Sequence, residues 1–222
     1  MASSANISFI LRSHIQQRQD PAVLVNAVLA FSAFLRWTRP NGDLLEMLLS
    51  ASMNALGQHA KARCLQSLGD ILLLQDQHQK AQLKLEEAHL VFIDIGDRLG
   101  AAQCLRSVGN ILRVQNQYTE AWLKLEKAQL IFTDIGDRVG AAQCLRSLGN
   151  ILRMQNRYEE ARLKLEEARS IFIDTGDRLG VARCLQLLSI ILRVRGQYEE
   201  ALLKLEEARS IFVRIGDRLG VA

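Results

Sequence analysis

The sequence predicts an all-α protein, a right-handed superhelical solenoid of antiparallel helix pairs. Composition is the first ground. The 222 residues include only two prolines, with 49% hydrophobic and 23% charged residues. Ala, Leu, Glu, Arg, Lys and Gln, the strong helix formers, dominate. Repetition is the second. Asp97–Gly136 and Asp137–Gly176 differ at 11 of 40 positions, leaving 29 identical. Asp177–Gly216 repeats the unit again and Gly57–Gly96 is a looser copy. Periodicity is the third. Each unit holds two stretches whose apolar residues recur at helical spacing, divided by glycine and aspartate.

Residues 1–56 do not share the repeated text and are expected to form an N-terminal cap or degenerate repeat. Asp20-Pro21 is a good helix start. Arg39-Pro40-Asn41-Gly42 is a break, and Asp43 with Glu46 resembles a capping box. Helices are expected at Pro21–Thr38 and Leu44–Leu56, paired over one end of the array. The apolar run Ala22–Trp37 spans 16 residues and includes Asn26 and Ser32. A membrane helix needs roughly 20 apolar residues, so this run reads as a buried helix. No secretory signal is present, which makes the cytoplasm the expected compartment.

Four units follow, at 57–96, 97–136, 137–176 and 177–216. In the first helix of unit three, Ala141, Leu145, Leu148 and Leu152 make one apolar stripe. Gly149 lies on it, at a cost of about 1 kcal/mol relative to alanine. That cost marks close approach by a neighbouring helix. Tyr158, Ala161, Leu165, Ala168 and Phe172 form the matching face of the second helix. Glu159 and Glu160 suit its N-terminus, and Glu160 with Lys164 is a favourable i,i+4 pair. Gly136, Gly176 and Gly216 are expected as left-handed helix terminators. Asp97, Asp137, Asp177 and Asp217 are expected to cap the helices that follow. The short link Gln155-Asn156 forces each pair antiparallel.

The chain stops six residues into another unit, at Asp217–Ala222. On this reading Leu203, Ile211 and Val213 have no following helix to cover them, so the chain is expected to be part of a longer array or to self-associate through that end.

Other constellations point away from chemistry. Cys64, Cys104, Cys144 and Cys184 fall one per unit. Equivalent helices of neighbouring units lie about 8–10 Å or more apart, beyond disulfide reach and too dispersed for zinc. They are expected as buried thiols of a reducing compartment. His14, His59, His78 and His89 show no metal-ligand spacing, and His78 stands in for Tyr118, Tyr158 and Tyr198. Gly96-Asp97-Arg98-Leu99-Gly100 and its copies lack the Gly-Lys-Ser/Thr ending of a phosphate-binding loop. No enzymatic activity, metal or cofactor is implied.

Leu145, Leu148, Gly149, Tyr158, Ala161, Leu165 and Ala168 fall at the spacing of the tetratricopeptide signature. The forty-residue variety, with its Ser-Leu-Gly-Asn and Gly-Asp-Arg segments, resembles that of kinesin light chains and spindle-orientation adaptors. The near-identical copies also resemble the repeat arrays of fungal NB-ARC-type ATPases. The frequent early tryptophan is leucine here, and the late proline is missing.

In that family first helices line a concave groove. The resemblance therefore marks a polar stripe as a candidate peptide-binding surface. It comprises Gln103, Arg106, Asn110 and Arg113 in unit two, and Gln143, Arg146, Asn150 and Arg153 in unit three. Unit four adds Arg183, Gln186 and Arg193, with Ile190 in the asparagine's place. Residues 137–154 carry a net charge of +2 (three Arg against one Asp), whereas 157–174 carry −1 (four cations against five acids). Asparagine can both donate to and accept from a peptide backbone, and arginine binds carboxylates bidentately. The expected function is a protein-interaction scaffold for an extended, acidic peptide. The resemblance also implies an alternative, the partner-sensing or self-assembling region of a larger signalling ATPase. The net charge of +4 and the absence of aromatics from the stripe argue against single-stranded RNA. Trp122, at the place of Gln82, Arg162 and Leu202, is expected to be exposed on the outer face.

Overall fold

The computed structural model describes residues 4–16, 26–31, 43–52 and 57–216, and every regular element among them is helical. In chain order these are α1 (Ser4–Gln16), α2 (26–31), α3 (Asp43–Ser52), α4 (Gln58–Leu74) and α5 (His78–Asp94). There follow α6 (Arg98–Val114), α7 (Tyr118–Asp134), α8 (Arg138–Met154), α9 (Tyr158–Asp174), α10 (Arg178–Val194) and α11 (Tyr198–Ile215). The chain divides into two compact units, Met1–Ile111 and Leu112–Ala222.

In the first compact unit, α4 pairs with α5. Ahead of them α3 packs against both α1 and α4, and Arg12 reaches Asp43 at 3.3 Å. The helix expected at Leu44–Leu56 is present as Asp43–Ser52. Residues 26–31 of the helix expected at Pro21–Thr38 are helical, with Val28, Leu29 and Phe31 buried. The Asp20-Pro21 start, the break at 39–42 and residues 53–56 lie outside the described residues. The helix α1 is not anticipated by the sequence reading. Among its described side chains Leu11 and Ile15 are buried, while Phe9 and Ile10 are exposed.

In the second compact unit, each helix from α7 to α11 packs on the next, and α8 also touches α10. The predicted stripe of α8 is buried, as are Ala161, Leu165, Ala168 and Phe172 of α9. At the joint between units three and four, Phe172 sits among Leu145, Ala168, Ala182, Leu185 and Phe212. Burying such a ring contributes about 1.5–3 kcal/mol.

The turns follow the predicted chemistry. Gly136 has φ 77°. Its N–H bonds to Thr133 O at 3.1 Å, and the next N–H, of Asp137, to Phe132 O at 2.8 Å, which is a Schellman closure. The Asp137 carboxylate then accepts from Gly140 N at 2.8 Å and caps α8. Asp137 thus ends one helix and begins another. Asp97 and Asp177 make the same cap on Gly100 and Gly180. Asp217 lies outside the described residues. Within unit three, Asn156 takes φ 61°, and its Oδ1 accepts from the Tyr158 hydroxyl at 2.7 Å.

Two glycines permit close packing in unit three, Gly140 and Gly149, where the sequence reading singles out one. A Cβ at Gly149 would lie 2.9 Å from Leu165 Cγ, the close approach expected. The second is Gly140, where a Cβ would lie 2.5 Å from the Phe132 ring. Gly180 meets Phe172 in the same way.

Candidate peptide-binding site

The predicted stripe residues are half-buried except Arg183 and Arg193, which are exposed. The helices α8 and α10 touch, which brings the stripes of units three and four onto neighbouring helices. In the first compact unit, Gln66 Nε2 donates to Gln103 Oε1 at 3.0 Å, a polar link between the stripes of α4 and α6. Arg106, Asn110, Gln143 and Arg146 are also engaged within the chain, so they are not simply solvated.

The end of the stripe is its most unusual part. Arg113 Nε is buried and has no hydrogen-bond partner. Burial, and then the charge of Arg153, both act to lower the Arg113 pKa; the Tyr118 hydroxyl is the one opposing influence. Arg153 in turn donates from Nε and Nη2 to Asn150 Oδ1, at 3.0 and 2.8 Å. This occupies the asparagine's carbonyl oxygen and leaves its amide N–H₂ as the donor end. Arg113 is thus a partly desolvated guanidinium that feels the charge of Arg153, and a carboxylate there would be stabilised by both.

The second helices carry different chemistry. Glu160 does not pair with Lys164. The fork of Arg157 takes it instead, Nε to Oε1 at 2.7 Å and Nη2 to Oε2 at 2.6 Å, while Lys164 lies 3.7 Å from Glu167. A bidentate guanidinium outcompetes a single ammonium for the same carboxylate.

Trp122 is half-buried rather than exposed. It packs with Tyr158 against Leu152, Ala161 and Leu165, because α7 lies against α8. With Tyr118, Ile151 and Gln155 it also lines a cavity of about 260 Å3. At the next joint the equivalent places hold Glu159, Arg162 and Arg195, and Glu159 pairs with both arginines. Thr119, Trp122 and Gln155 cannot make those pairs, so the joint they line stays open.

Leu203 and Val213 are exposed, at 65% and 60%, but Leu163 and Ile173 are equally so, at 61% and 55%. Their exposure belongs to every unit and does not mark an open end. The residue that changes is Leu205, 44% exposed where Leu165 is fully buried. Leu188 and Ile191 of α10 cover Leu165. No described helix follows α11 to cover Leu205. Ile211 is half-buried.

Cys64, Cys104, Cys144 and Cys184 are free thiols buried in the core. Burial pushes the Cys64 pKa up to about 11 and those of Cys104 and Cys184 to about 12. Among the described residues no His, Cys, Asp or Glu group is placed to hold a metal. No described helix is long and apolar enough to cross a membrane.

The family model for the tetratricopeptide repeat matches residues 100–174. No curated protein matches the sequence. Among solved structures, a putative kinesin light chain of Podosopora anserina with nearly identical TPR-like repeats is 15% identical. There 89% of this chain aligns with 98% of that one at a TM-score of 0.66. BtubC of P. vanneervenii is 14% identical, over 96% of this chain and 90% of that one, at 0.73. The Rap conjugation regulator of plasmid pLS20, solved with the Phr* peptide, is 20% identical over 88% of this chain, at 0.74. This chain spans only 56% of the Rap regulator's length. At these identities the likeness is one of fold. Residues 100–174 therefore carry tetratricopeptide repeats, and the rest of the described array shares their helical-pair fold.

Proposed function

We propose that this chain is a scaffold that binds an extended, acidic peptide along the polar stripe of α8 and α10, with Arg113 at its edge. The observation that carries the reading is the buried, unpartnered Nε of Arg113, whose guanidinium also feels the charge of Arg153. Peptide carboxylates supply the missing charge, and the asparagine amides supply donors to its backbone. The peptide-bound Rap regulator supports the reading by analogy of fold only. Nothing in the site resembles a nucleophile with its base, so the role is binding rather than catalysis. The cytoplasm suits four buried thiols.

The test replaces Arg106, Arg146 and Arg193 together with Glu and measures binding of fluorescein-labelled Asp/Glu-rich peptides by anisotropy. Binding should fall more than tenfold, with the helical circular dichroism unchanged. Undiminished binding in this variant, with loss in Trp122→Ala, would move the site to the cavity beside α7. Tight binding of RNA of any sequence, falling steeply with salt, would instead indicate a nucleic-acid surface.

A further inference from the structure

The four units differ at a position where the difference reverses a charge. In unit three, Arg138 at the start of α8 pairs with Asp174 at the end of α9, Nη2 to Oδ2, at 2.9 Å. Asp94, Asp134 and Asp174 hold this place in the first three units. Unit four keeps the arginine, as Arg178, but carries Arg214 where the aspartate would stand. The bridge is replaced by two cations.

Arg178 and Arg214 line one cavity of about 430 Å3, whose walls include Phe172, Ile173, Val181 and Ile211. Neither arginine makes an ion pair or side-chain hydrogen bond among the described residues. Among the described residues, Asp174 is committed to Arg138 and Asp177 to Gly180 N. Both arginines are exposed, so the cavity opens to solvent. Its size lies within the usual range for small-molecule sites.

We propose that this cavity binds a small organic oxyanion, a carboxylate or phosphate monoester with an apolar body. The guanidinium pair takes the oxyanion bidentately, in place of the absent aspartate. The apolar body lies on Ile173, Val181 and Ile211 and displaces water from them. Charge without the apolar wall would suit inorganic phosphate. The wall without charge would suit a neutral hydrocarbon. The cavity offers both. This site is separate from the polar stripe and does not depend on peptide binding there.

The experiment titrates the protein by calorimetry with octanoate, phenyl phosphate and inorganic phosphate. Octanoate or phenyl phosphate should bind one to one, at least tenfold more tightly than inorganic phosphate, and raise the Tm. Arg214→Asp installs the residue that the other three units carry, so it should fold. It should abolish this binding and raise the ligand-free Tm by restoring the bridge. Asp174→Arg should add a second equivalent of bound ligand at the preceding joint. Octanoate and phenyl phosphate binding no better than inorganic phosphate would overturn the proposal, as would Arg214→Asp binding them as well as the parent protein does.

Discussion

Gly180 shows how one hydrogen atom in place of a methyl group decides a joint. Its missing Cβ leaves room for the Phe172 ring, which is fully buried against α10. Gly180→Ala improves helix propensity by about 1 kcal/mol. It also drives a methyl to 2.5 Å from an aromatic ring that has nowhere to go. Overpacking of this kind costs about 1–3 kcal/mol. A net loss of stability of up to about 2 kcal/mol is expected in urea unfolding. A gain would show that the ring can move aside. The cysteines make a second residue-scale prediction. Burial lifts their folded pKa values above the ordinary thiol value of 9.0, to about 11 for Cys64 and about 12 for Cys104 and Cys184. Folding therefore favours the protonated thiol. That stability is fully present below pH 9 and is lost as pH rises towards 12. At pH 8 native Cys64, Cys104 and Cys184 should alkylate at least about a hundredfold more slowly than in denaturant. All four should be titratable once the chain is unfolded, and fewer than four would reveal a disulfide.

At the scale of the element, each first helix depends on an aspartate that closes the turn before it. Asp137→Ala removes the bond to Gly140 N and leaves an N-terminal donor of α8 without its cap. The expected cost is about 1 kcal/mol. Asp137→Asn should recover most of it, since asparagine caps as well. If the alanine variant melts like the parent, water satisfies that donor. These caps, the left-handed glycines and the two apolar stripes were all legible in the text, because each is a local rule acting within a few residues. The partner of Glu160 was not. Arg157 and Lys164 are both within reach of it along the helix, and the choice rests on the fork geometry of the guanidinium.

For the whole molecule, near-identity between units has a thermodynamic consequence. Each joint is built from the same pairs, such as Gly140 with Phe132 and Gly180 with Phe172. Deleting 137–176 joins Gly136 to Asp177 and re-creates a joint of Phe132 with Gly180. The shortened chain should stay helical and cooperative, with a lower Tm, because stability in such arrays is close to a sum over units and joints. Loss of cooperative melting would mean that unit three supplies something its neighbours do not. One such contribution is visible. Glu159, held by Arg162 and Arg195, seals its joint, whereas Trp122 leaves its own open.

By itself the sequence determined the helical class, the forty-residue unit, the turn chemistry and the burial of one thiol per unit. Those features follow from periodicity and from rules local to a few residues. Tertiary structure decided what happens between residues about forty apart. It buried half of Trp122, paired Arg138 with Asp174, left Arg113 Nε buried without a partner and put Arg178 and Arg214 on the walls of one cavity. The physical reason is that a repeat brings equivalent positions of different units together. A single substitution in one copy therefore changes a contact whose other half is written a full unit away.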